Sequence, residues 1–148
     1  MLSVKKKVLT IRVSGKERKI KVRKLLYDLA HFRNLLLIFI NNYRLNYKEF
    51  LLNQSIIYGL LTKKGYSGKY KEEYEKVLKN ISTNGELKDI LDVLVSQKEK
   101  TGNTYLIQSV IRQVIKDFQN YFKALREYER NPKKFKSKPR PPKPKKLN

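Results

Sequence analysis

The sequence predicts a mainly α protein: a bundle of about five helices, preceded by a short basic β-hairpin and followed by an extended Pro/Lys-rich C-terminal tail. Three observations carry that prediction. Apolar residues recur every three or four positions through much of 25–130, the period of a helix face. Between Val8 and Arg23 they alternate instead, the period of a strand. All five prolines lie between Pro132 and Pro144, where they exclude a helix interior. The chain therefore divides into a hairpin over 1–24, a helical domain over 25–130 and a tail over 131–148.

In the hairpin, Leu9, Ile11 and Val13 share one side of a strand, Ser14-Gly15-Lys16 is a turn signal, and Ile20 and Val22 alternate with Lys19, Lys21 and Arg23. A helix starting near Glu17 is the competing reading of the second half. Two strands are marginal in water, so the hairpin needs something to pack on.

Leu25, Leu29, Phe32, Leu36, Phe39, Ile40 and Tyr43 mark a first helix that is apolar nearly all round, as a central buried helix would be. A second helix is expected from Tyr47 to about Leu61, with Phe50, Leu51 and Ile57 inward and Asn46 as its cap. After the Lys64–Gly68 loop come helices over Tyr70–Ile81 and Leu87 to about Lys98, the latter with Leu87, Ile90, Leu91, Leu94 and Val95 inward. Thr101-Gly102-Asn103 breaks the pattern, and Asn103 or Thr104 caps the longest helix, Thr104–Arg130. Its inward face reads Ile107, Ile111, Val114, Phe118, Tyr121, Leu125 and Tyr128. Its outward face reads Arg112, Lys116, Gln119, Lys123, Arg126 and Arg130, within roughly an 80° stripe on an ideal helix.

Charge narrows the function. The formal net charge is +22, of which the first 24 residues hold +9 and residues 131–148 hold +8. Self-repulsion of this size is relieved by a polyanion, so the backbone of RNA or DNA is the first partner to consider and an anionic membrane surface the second. The helix stripe leads into a tail bearing Lys133, Lys134, Lys136, Lys138, Arg140, Lys143, Lys145 and Lys146 without an acid. An extended chain with a cation every second or third residue suits a phosphate backbone. Among the ten tyrosines, Tyr43, Tyr47, Tyr58, Tyr66 and Tyr70 lie near basic residues; such rings either stack on bases or sit at the edge of a core.

Catalytic signals are weak. His31 is the only histidine and there is no cysteine, so a catalytic or metal role would leave His31 without a second ligand or base. Asp89 and Asp92 are three apart on a helix, a common arrangement of surface acids. Hence no catalytic residue, metal site or cofactor is expected. Absence of cysteine suits a reducing compartment, no apolar run reaches the roughly 18 residues of a membrane span, and a cytoplasmic location is expected.

The run IQSVIRQVIKDFQNYFKALREYERNPKKFKSKPRPPKPKK, Ile107–Lys146, resembles the central stretch of TnpB, the OrfB-type protein of insertion sequences and a relative of type V CRISPR effector nucleases. In that family a Gln-x-Val-Leu/Ile-like helix with a Phe-x-x-Phe/Tyr-Phe element leads to a Lys-rich Pro-x-x-Pro segment. The features fall here on Gln108–Val110, Phe118–Phe122 and Pro132–Pro144, whereas Phe32-Arg33-Asn34 matches the family's Arg/Tyr-Asn element poorly. The resemblance implies a wedge strand or hairpin, a helical recognition domain and a return to the wedge, and it stops short of the RuvC-like nuclease domain. The expected function is that of a transposase-associated, RNA- and DNA-binding protein without enzymatic activity of its own. Arg112, Lys116, Lys123, Arg126, Arg130 and the eight tail cations are the expected phosphate contacts. The alternatives are a subunit needing a RuvC-bearing partner chain, an inert remnant of a transposon gene, and a module that binds membranes or proteins through the tail.

Overall fold

Between Lys16 and Tyr47 there is neither glycine nor proline, the two residues least compatible with a helix interior. In the computed structural model, which describes residues 16–50 and 52–147, the whole segment is one helix, α1 (Lys16–Tyr47). Ile20, Val22 and Arg23 are therefore helical, and no strand occurs among the described residues. The alternation that suggested a strand spans only two apolar residues, and the good helix formers Lys and Arg between them extend α1 instead. The first strand, Val8–Val13, lies outside the described residues.

At its other end α1 runs through Asn46, whose side-chain amide donates to the Asn42 carbonyl at 2.8 Å and so does not cap a second helix. Termination comes at Lys48, which sits at φ 54° and donates its N–H to the Arg44 carbonyl at 2.9 Å, the left-handed stop that glycine usually supplies. The second helix is correspondingly short, α2 (Gln54–Leu60), and is capped by Asn53, whose side chain accepts the Ile56 N–H.

The remaining helices follow the sequence pattern closely: α3 (Lys71–Ser82), α4 (Gly85–Thr101) and α5 (Thr104–Arg130). Asn84 and Asn103 cap α4 and α5 by accepting the N–H of Leu87 and Leu106. Gly102, at φ 70°, closes α4 in the left-handed conformation.

One core joins these elements. It is built from Phe32, Leu36, Leu37, Phe39, Ile40 and Tyr43 of α1, the apolar residues of α2, Val77 and Ile81 of α3, Leu87 and Leu94 of α4, and Ile107, Ile111, Val114, Ile115 and Phe118 of α5. Helix α4 runs antiparallel along α1. Gln97 donates to the Asp28 carbonyl at 3.1 Å near one end, and Asn42 donates to Glu86 at 2.9 Å near the other. Among the described residues no helix is long and apolar enough to cross a membrane.

After Arg130 the chain makes a short 3₁₀ turn, Pro132–Lys134, and then runs without regular structure to residue 147. Proline accounts for the change, since it lacks the N–H that another helical turn requires.

Candidate nucleic-acid interface

Burial of one side of α5 decides where its other side points. Ile107, Ile111, Val114, Ile115 and Phe118 are in the core, so the stripe half a turn away faces outward. Arg112, Lys116, Gln119, Lys123, Arg126 and Arg130 are all exposed. Because α5 has 27 residues, it spans about 40 Å. Of the acids on this helix, Glu129 is exposed beside Arg126 and Arg130 and tempers that end of the stripe, whereas Asp117 is engaged elsewhere. Asp117 is half-buried and accepts from Arg33 of α1 at 3.1 Å and from Gln113 at 3.0 Å.

The tail folds back onto the bundle. Phe135 packs edge-on against Tyr128 of α5, with ring centroids 5.8 Å apart, reversing the chain direction. Beyond it, Asn41 donates to the Pro142 carbonyl at 2.8 Å. Asn34 then makes a two-point clamp on Lys145, donating to its carbonyl at 2.7 Å and accepting its N–H at 3.0 Å. The tail thus runs antiparallel to α1. The spacing is commensurate: seven residues of helix rise about 10.5 Å, and three residues of polyproline-like chain advance about 9.3 Å.

Docking by backbone leaves the tail's charged side chains free. Lys133, Lys134, Lys136, Lys138, Arg140, Lys143, Lys145 and Lys146 are exposed, whereas Phe135, Pro139, Pro141 and Pro142 are half-buried. The expectation of an extended tail is met only after the 3₁₀ turn, and the tail is held rather than projecting. None of the thirteen predicted contact residues takes part in an ion pair among the described residues, where the pairs are Lys24–Asp28, Arg33–Asp117, Lys71–Glu75 and Lys76–Glu49.

Several residues singled out in the sequence have structural roles. Tyr43 is fully buried and accepts from Asn80 at 3.0 Å; burial pushes its phenol above the ordinary range. Tyr47 donates to the Asn80 carbonyl at 2.8 Å. Burial closes the Tyr43 ring to a base, and the Tyr47 hydroxyl is committed to α3. The aromatic element of α5 is likewise a packing device, since Phe50 lies 5.8 Å from Phe118 and 5.0 Å from Phe122. His31 is half-buried and stacks on Tyr27 at 6.3 Å, and Asp89 and Asp92 are exposed. Asn34 and Asn41, which are not among the candidate residues of the sequence, carry the tail. Their spacing of two helical turns is a signal visible only when the partner strand is known.

Compared with protein-family models, with curated proteins and with solved structures, the chain gives no match.

Proposed function

We propose that the chain binds RNA or DNA by its phosphate backbone, across the outward face of α5 and the docked tail. One observation carries this reading: thirteen cations on two adjoining segments, all exposed, with no acid paired to any of them among the described residues. A solvated surface of ordinary composition balances both signs, and a surface with so large an excess of cations concentrates a polyanion. Backbone contact positions a nucleic acid without reading its sequence. That division of labour suits the TnpB-like reading, in which a wedge and recognition region holds guide RNA and RNA–DNA duplex by shape and leaves sequence to base pairing. The likeness of Ile107–Lys146 to that family supports this more specific assignment.

A titration against structured RNA, duplex DNA and anionic liposomes at two salt concentrations tests the proposal. Tighter binding to nucleic acid than to liposomes is expected. The slope of log K on log salt should be about −0.9 for each phosphate neutralised on duplex DNA. Changing Arg112, Lys116, Lys123 and Arg126 together to Glu should weaken binding at least about tenfold and make that slope shallower. Unchanged affinity would remove α5 from the interface.

A further inference from the structure

At the N-terminal end of the α5 stripe lies a cleft of a different character. Gln54 and Tyr58 of α2, Gly59, Tyr66 of the following loop and Gln108 of α5 line a space of about 230 Å³. That is less than the roughly 300–1,000 Å³ of a site for a drug-sized ligand, and it suits one flat ring system. Among the described residues no charged side chain lines it, although Lys98 lies 5.8 Å from the Tyr58 ring centroid. The cleft therefore combines aromatic faces with two neutral amides, each able to donate and to accept.

The Tyr66 wall is held rigidly. A Cβ on Gly59 would stand 2.7 Å from the Tyr66 Cβ, so only glycine lets the loop approach α2 this closely. A Cβ on Gly68 would collide with the Tyr66 hydroxyl and ring. That hydroxyl accepts the Tyr70 N–H at 3.0 Å, and the ring packs 6.0 Å from Tyr74. Gly59 thus lets the base of the Tyr66 side chain close on α2 and Gly68 leaves room for its ring and hydroxyl, and a ring placed in advance loses less entropy when something stacks against it.

Gln108 also connects the cleft to the basic stripe. It precedes Arg112 by four residues, which places the two side chains about 5–6 Å apart along one face. A strand whose phosphates follow Arg112, Lys116 and Lys123 would bring its next base to Gln108. We propose that this cleft receives a single unstacked nucleobase, with Tyr58 and Tyr66 against its faces and the Gln54 and Gln108 amides at its edge. The inference rests on the phosphate-binding reading above and adds a preference for single-stranded segments, the form in which bases are free to splay out.

The test compares the full-length chain's affinity for a labelled single-stranded RNA with its affinity for an abasic phosphodiester chain of equal length and charge, at fixed salt. The base-bearing chain should bind about tenfold tighter, the size of one good stacking contact. Tyr66→Ala should erase that advantage and leave abasic binding unchanged. Gln108→Ala, which removes no wall of the loop, should reduce the advantage even if Tyr66→Ala fails to fold. Equal affinity for the two chains overturns the base cleft and leaves the phosphate interface standing, as does an advantage that survives Gln108→Ala undiminished. Binding to neither chain removes both readings together.

Discussion

At the scale of single residues, short polar side chains do most of the specifying. Asn53, Asn84 and Asn103 each accept the N–H three residues ahead, satisfying a donor that every helix start leaves open; such caps are typically worth about 1 kcal/mol each. Arg44 shows another economy. Its guanidinium donates to Asn41 at 3.1 Å and lies 5.6 Å from the Tyr121 ring centroid, while its buried Nε has no hydrogen-bond partner among the described residues. The aromatic face is the available substitute. Asp28 gives a pH-dependent case. The Lys24 ammonium, 2.9 Å away, holds its carboxyl below the ordinary value of 3.8. A lowered folded value means that this stabilisation is complete above pH 3.8 and is lost as pH falls through the folded value. Melting temperature followed from pH 5 to about pH 2 should therefore drop more steeply in the wild type than in Asp28→Asn. Parallel curves would show that the pair adds nothing to folding.

At the scale of elements, legibility followed the length and regularity of the pattern. Helix α5 was readable to the residue because seven inward positions repeat, Asn103 caps one end and Pro132 follows the other. The start of α1 was not, since Lys19–Arg23 offers only Ile20 and Val22 as apolar markers and so short a run fits either period. Asn46 misled for a different reason: a cap residue and a residue bonding back to its own helix look alike until the backbone direction is known. Of the interface, the exposed cations were legible as a stripe and a tail, but not that the tail docks. That contact depends on Asn34 meeting Lys145, 111 positions away, which no local pattern encodes. The docking is testable. In Asn34→Ala the Lys145 amide loses its acceptor, and its hydrogen exchange should quicken by about fivefold to tenfold, matching one hydrogen bond of about 1 kcal/mol. Adding Asn41→Ala, which removes the donor to the Pro142 carbonyl, should quicken exchange at the Lys145 amide further. Unchanged exchange would mean that the half-buried prolines hold the tail unaided.

For the whole molecule the governing quantity is +22 charges on 148 residues. The described ion pairs number four, and in two of them both side chains are more than half exposed, where such pairs contribute little. Attraction within the protein therefore cannot offset repulsion among the excess cations, and the folded state carries that strain unless counterions or a polyanion screen it. Raising ionic strength shortens the Debye length from about 30 Å at 0.01 M to about 8 Å at 0.15 M, which weakens distant repulsions first. Apolar burial in the core is little affected over that range. The melting temperature should accordingly rise with salt across this interval, by about 3 °C for each kcal/mol of repulsion relieved. A short polyanionic oligonucleotide at low salt should raise it further than an equal charge of free phosphate, because binding to the folded state alone adds stability by mass action. A melting temperature that fell with salt would place the net balance on the few ion pairs, and it would count against reading the basic surface as one built to be covered.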